Sequence, residues 1–219
     1  MVFLDQFSKS FSWGTPGSSY MYFIAIFGAI AAAIAIERIY FIVVRSNVNA
    51  DKFMAEIRKL VAGGNIERAI NLCEKGKQKA LPFVVLRGLK RANESDTLDF
   101  RAIQNAVDEG TLEVIPKLKD RTNYLSMFAN VATLTGLMGT IYGLILSFSS
   151  VAAEGIPESE KSKLLASGIS AAMNTTIFGL MVAIPTLIAY TYLSNRTTKI
   201  IDEMDEHLVK LINLITGNR

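Results

Sequence analysis

Along the 219 residues, apolar positions follow two different patterns. In three stretches they run on without a single charged residue: Ser10 to Ile36 (27 residues), Thr122 to Ala153 (32) and Leu164 to Asn195 (32). Elsewhere they recur every three or four positions among many charges, which is the period of amphipathic helices. A hydrocarbon layer about 30 Å thick needs roughly 20 apolar residues in helical form, and each uncharged stretch contains such a window. The pattern predicts an all-α chain with three membrane spans and long helices extending into a helical domain.

The first span is placed at residues 20–44, preceded by a segment 1–19 in which Phe3, Leu4, Phe7 and Phe11 allow either a short interfacial helix or a disordered tail. Glu37 and Arg38 stand near the end of this span. As consecutive helical residues they are expected to point to different sides, Arg38 snorkelling to the interface, with an entrance or structural role for the pair. The second span covers 122–153 and the third 164–195, joined by residues 154–163, where Gly155 and Pro157 suit a turn. So short a connection predicts an antiparallel hairpin. At 1.5 Å per residue, 32 residues rise about 48 Å, so both helices should project beyond the bilayer.

Residues 45–121 hold fifteen basic and eleven acidic residues, enough for a small helical domain. Helices are predicted from about Val48 and from Asn65, separated by Gly63-Gly64, then over Leu81 to Ala92 and Leu98 to Thr122. In the last, Ile103, Val107, Thr111, Val114 and Leu118 form one apolar face. Pro116 should kink this rod as it leads into the second span. Residues 196–219 should form a separate terminal helix with an apolar stripe of Met204, Leu208, Leu211 and Ile215, and with His207 at a surface or subunit-packing position.

Charge and composition narrow the chemistry. A net charge of +3, from 23 basic and 20 acidic residues, argues for no nucleic-acid partner. Cys73 is alone and can form no intrachain disulfide. No phosphate-binding glycine loop, HExxH or Cys/His cluster occurs, so neither a cofactor nor a metal site nor an enzyme is expected. Basic residues flank the spans unevenly. Arg45, Lys117, Lys119, Arg121, Arg196 and Lys199 lie on one side, and Lys9, Lys161 and Lys163 on the other. This places the 45–121 domain and the C-terminus in the cytoplasm and the N-terminus and hairpin outside.

The hairpin is unexpectedly polar for a membrane segment. Thr133, Thr140, Asn174, Thr175 and Thr176 are candidates to line an ion path, although hydroxyls in such helices also bond their own backbone. Thr140 and Thr176 both fall near mid-span and would meet across an antiparallel pair. Gly136, Gly139 and Gly143 on one helix, and Gly168, Ala172 and Gly179 on the other, recur at the spacing of close helix packing. Pro185 should bend the third span. Neither stretch contains Asp, Glu, Lys or His. An ion path here needs its titrating group from a partner helix.

Two blocks, "ATLTGLMGTIYGLILSF" at Ala132 to Phe148 and "GISAAMNTTIFGLMVAIPTLIAY" at Gly168 to Tyr190, resemble the MotA/TolQ/ExbB proton-channel family, closest to its ExbB/TolQ branch. The resemblance implies a homopentamer in the bacterial inner membrane, its second and third spans surrounding a pore. It implies a partner, an ExbD/TolR-like single-span subunit in two copies, whose membrane aspartate carries protons past Thr140 and Thr176. It further implies conversion of proton or sodium motive force into work for outer-membrane transport or envelope maintenance, with an outer-membrane-coupling protein as a further partner. One position departs from the pattern: Ala171 stands where many relatives carry glutamate. A nonconducting scaffold that assembles other envelope proteins is the competing reading.

Overall fold

A computed structural model describes residues 11, 18–46, 48–94, 99–152 and 157–217. Among these the chain is helical, with no strand: α1 (Ser18–Ile39), a π-helical segment (Tyr40–Arg45), α2 (Ala50–Ala62), α3 (Ile66–Lys75), α4 (Ala80–Glu94), α5 (Phe100–Lys119), α6 (Thr122–Ala152) and α7 (Glu158–Ile215). Three helical stretches, within residues 18–62, 100–152 and 158–215, are long and apolar enough to cross a membrane. The chain is an all-α, multi-pass membrane protein. The interfacial helix expected around Leu4 and Phe7, and the turn at Gly155, lie outside the described residues.

Two compact units emerge, Met1–Ile36 with Arg121–Thr191, and Glu37–Asp120 with Tyr192–Arg219. The first is the membrane unit. Its α6 buries Thr122, Leu125, Ala129, Ala132, Gly136, Gly139, Gly143 and Ser147, at steps of three or four residues. That spacing keeps one face of the helix turned to its neighbours. Helix α1 buries Met21, Ile24 and Ala31. Its Gly28 approaches α7 so closely that a Cβ there would lie 3.1 Å from Val182 Cγ1.

The second unit carries the charge. Asn49 caps α2 by accepting from the Lys52 amide at 3.1 Å, and Asp99 caps α5 by accepting from the Arg101 amide at 2.9 Å. Between α2 and α3, Gly64 supplies the turn with φ of 73°. Its core comprises Met54 and Ile57 of α2, Ala69 and Cys73 of α3, Val84, Val85 and Leu89 of α4, and Ile103, Val107, Val114 and Leu118 of α5. Met204, Leu208, Leu211 and Ile215 are buried here too, as their spacing predicts. Burial pushes the Cys73 thiol up to about 12, so it serves as a small apolar core residue.

Several expectations are corrected. The rod containing Pro116 is interrupted: α5 ends at Lys119, and Arg121 adopts φ of 57° before α6 begins at Thr122. Proline has no amide to donate to the carbonyl four residues back, and the chain leaves the helix one turn later, the Asp120 amide bonding the Pro116 carbonyl at 2.8 Å. The opposite holds at the third span. Helix α7 starts at Glu158, six residues before the uncharged run, and continues past Asn195 to Ile215 without a separate terminal helix. Glu158 and Glu160 in its first turn complement the positive pole of the helix.

Candidate functional site

The seam between α6 and α7 in the membrane unit is built from absent side chains. A Cβ at Gly179 would lie 2.7 Å from the Ala132 carbonyl oxygen, and one at Gly136 3.0 Å from the Thr175 carbonyl oxygen. At Gly139 it would lie 2.7 Å from Thr175 Oγ1, and at Gly143 2.9 Å from Ala172 Cβ. One at Gly168 would overlap Ser147 Oγ. Backbones therefore approach along the whole seam, in the antiparallel register that brings 136 to 179 and 147 to 168.

This approach exposes a backbone carbonyl of one helix to hydroxyls of the other. Thr175 Oγ1 lies 3.1 Å from the Gly136 carbonyl oxygen and 2.7 Å from that of Ala172, while Thr176 Oγ1 lies 3.1 Å from the same Gly136 oxygen. A helical carbonyl already accepts from the amide four residues on, and it has two lone pairs. It has room for one hydroxyl. The shorter contact assigns the Thr175 proton to Ala172 within its own helix, and Thr176 donates across the seam to Gly136. Thr176 is then left with its oxygen lone pairs, on a half-buried side chain that borders the seam.

The other polar candidates divide by burial. Thr175 is buried to 1% exposure and Asn174 to 7%, inside the unit rather than on an open face. Thr133 and Thr140 are half-buried and donate within α6, to Ala129 at 3.0 Å and to Leu137 at 2.6 Å. Thr140 and Thr176 thus each satisfy a carbonyl rather than each other. Ser147 has a place that reading by residue type passed over: it is buried, donates to the Gly143 carbonyl at 2.7 Å and fills the space opposite Gly168. Its position four residues after Gly143, on the same seam, is the signal that identifies it. Pro185 continues α7 with its side exposed, and Thr186 donates to the Val182 carbonyl at 2.7 Å one turn earlier.

Arg38 and Glu37 belong to the second unit, and here the geometry overturns two expectations. Arg38 does not snorkel outward; its side chain is only 5% exposed. Its Nη2 lies 3.2 Å from Glu37 Oε1, because a long guanidinium stem can fold back on the neighbouring residue even though the two Cβ atoms diverge. Nη1 donates to the Lys117 carbonyl at 3.3 Å, Asp120 Oδ2 lies 3.8 Å from Nη2, and the Phe41 ring is 5.1 Å away. A cation thus sits on the Lys117 carbonyl at the negative end of α5. His207 is likewise buried rather than superficial. Its Nδ1 faces Arg58 Nη2 at 2.9 Å, and its Nε2 lies 3.4 Å from Asp51 Oδ1. An arginine can only donate, so Nδ1 is the acceptor and Nε2 carries the proton toward Asp51.

Comparison with known proteins gives this hairpin-bearing chain a family. The profile described as the MotA/TolQ/ExbB proton channel family matches residues 77–206. The chain belongs to the MotA/TolQ/ExbB family. It is 32% identical over 165 residues to the ExbB-like 3 biopolymer transport protein of Synechocystis sp., covering 74% of each chain. A biopolymer transport protein ExbB homolog of Methanothermobacter thermautotrophicus is 25% identical over 204 residues, 92% of this chain and 67% of that one. The Tol-Pal system protein TolQ of Haemophilus influenzae shares 33% identity over 86 residues, 39% of this chain and 36% of its own. These relatives place the chain in the ExbB/TolQ branch of the family.

Proposed function

We propose that this chain is the ion-conducting stator subunit of an energy-transducing complex of the inner membrane. Five copies surround two single-span partner subunits of the ExbD/TolR kind, and the partner helix brings the aspartate that binds and releases the ion. The 45–121 domain and the C-terminus face the cytoplasm. Movement of protons, or of sodium ions, turns partner against pentamer and delivers work to transport or maintenance of the envelope.

One observation carries this reading: the α6–α7 seam is polar at Thr140 and Thr176 and holds no group that titrates near neutral pH. Hydroxyl oxygens whose protons are committed to backbone carbonyls present lone pairs, suited to receiving a proton donor or a hydrated cation. Such groups orient an ion and cannot store one, so a carboxylate from another chain completes the path. With Ala171 neutral as well, the partner's acid acts alone at this level.

The test is ion flux through proteoliposomes holding the chain with its partner. Thr176→Val keeps the shape of the side chain while removing its oxygen, and flux should fall at least tenfold with the assembly intact. Gradients of proton and of sodium, applied separately, identify the ion. Absence of flux from a verified wild-type complex would favour the nonconducting scaffold instead.

A further inference from the structure

Where the first span ends, the second unit holds a cationic cavity that the ion path does not use. It has a volume of about 240 Å³ and is walled by Phe41, Arg45, Lys77, Lys79, Phe83 and Lys117. An adjoining cavity of about 640 Å³ shares Arg45 and Lys79 and adds Lys75, Tyr40 and Val44. Together they lie in the range of ligand sites, roughly 300–1,000 Å³. Five cations border the two cavities, and among the described residues no carboxylate does.

Among the described residues most of this charge is uncompensated. Lys117 is paired with Glu113 at 2.8 Å, and Lys77 contributes a weak long-range field at Glu74. Arg45 leans on the Phe41 ring at 5.7 Å. For Arg45, Lys75, Lys77 and Lys79, no carboxylate among the described residues stands within ion-pair distance. Like charges held together without counterions cost energy, which an anion would relieve.

The surroundings specify which anion. Arg45 is the last residue of the π-helical segment that continues the first span. On that segment Tyr40 and Val44 are 63% and 60% exposed, and Ile39, just before it, is 42% exposed. A tyrosine and aliphatic side chains lead straight into a basic pocket, the sequence of environments met by a phospholipid passing from acyl chain to headgroup. A soluble anion would have no use for the apolar approach.

We propose that this cavity binds the phosphate headgroup of an anionic phospholipid, with its acyl chains lying along Ile39, Tyr40 and Val44. Lys77, Lys79 and Arg45 hold the phosphate, Phe41 and Phe83 wall the glycerol region, and the bound lipid fixes the depth at which the first span leaves the membrane. This site is independent of the ion-path reading, since none of its residues belongs to the α6–α7 seam.

The test uses the purified full-length chain in detergent, with native mass spectrometry counting retained phosphatidylglycerol against phosphatidylcholine. The wild type should retain phosphatidylglycerol preferentially. The triple variant Arg45→Gln, Lys77→Gln, Lys79→Gln should lower that retention by roughly tenfold or more. A charge-matched control, Lys52→Gln, Lys59→Gln, Arg68→Gln, should leave it unchanged. Equal loss in both triples would mean only net charge matters and would overturn the site, as would equal retention of the two lipids. Displacement of the lipid by millimolar inorganic phosphate would overturn the lipid assignment in favour of a soluble anion. Should the triple variant fold poorly, a headgroup-photoreactive phosphatidylglycerol on the wild type answers the same question. Labelling must fall within 39–46, 75–83 or 114–118, and labelling elsewhere refutes the proposal.

Discussion

Gly179 and Gly168 both lie on the hairpin seam, yet an added methyl meets different obstacles at the two. At Gly179 it meets the Ala132 carbonyl, a backbone atom that cannot move without shifting α6. At Gly168 it meets the hydroxyl and the Cβ of Ser147, the latter at 2.8 Å, and rotation moves only the hydroxyl. Either glycine-to-alanine change should therefore destabilise the hairpin by about 1–3 kcal/mol, and Ser147→Gly should recover the loss from Gly168→Ala but not that from Gly179→Ala. Unfolding of the detergent-solubilised chain, followed by circular dichroism, compares the variants. The same logic separates adjacent threonines. Thr175 is interior and bonds its own helix, whereas Thr176 reaches the facing backbone and keeps an accessible side.

Helix α5 illustrates how an element ends. Its last carbonyls lack amide partners, as at every helix terminus. Pro116 interrupts the ladder within the final turn, and Arg38 answers by donating to the Lys117 carbonyl from a buried position. Arg38→Leu would keep the packing volume and leave that carbonyl without its donor, so the second unit should lose about 1–3 kcal/mol. Glu37 and Asp120 are about half-exposed, and their charges would return to water at little cost. Hydrogen exchange at the end of α5 should rise in this variant, with Arg38→Lys intermediate. An unchanged exchange pattern would show that the guanidinium does not cap the helix.

The molecule as a whole segregates its ionisable groups. Helix α6 of the membrane unit has no Asp, Glu, Lys, Arg or His between Thr122 and Ala152, whereas the second unit balances many. Within that balance the carboxylates differ in sign of effect. Glu113 is held below the usual carboxylate range, chiefly by the hydrogen bond from Lys117, and Glu74 by that from Lys90. Their small contributions are present above the ordinary carboxylate value and disappear as pH falls through the lowered one. Asp205 runs the other way: partial burial raises it, reinforced by Asp202 and by Asp108 of α5. Ionised, it opposes folding, and that penalty is relieved as pH falls through its raised value. Asp205→Asn should raise the thermal midpoint of the second unit at neutral pH. The gain should shrink toward acid, where the wild-type carboxyl is itself protonated. A midpoint unchanged at neutral pH would show that the three aspartates are fully screened by solvent.

Spans, helix faces and the missing acid could be read directly from the residues, because each depends on sums over neighbours in the chain. A run of thirty-two residues is uncharged whatever surrounds it, and Met204, Leu208, Leu211 and Ile215 share a face by helical geometry alone. Glycine spacing likewise announced a close seam before its partner was known. What stayed hidden was everything decided by a second helix. Arg38 and His207 look like surface groups by type, and their burial follows from the Lys117 carbonyl and from Arg58 and Asp51, which are distant in sequence. The division of labour between Thr175 and Thr176 arises from a register that brings Gly136 within reach, and the cationic cavity from bringing Arg45 beside Lys77, Lys79 and Lys117. Local sums determine where a chain enters a membrane and folds into helices. Only packing determines which polar atoms lose water, and so which are free to meet an ion, a lipid or a partner.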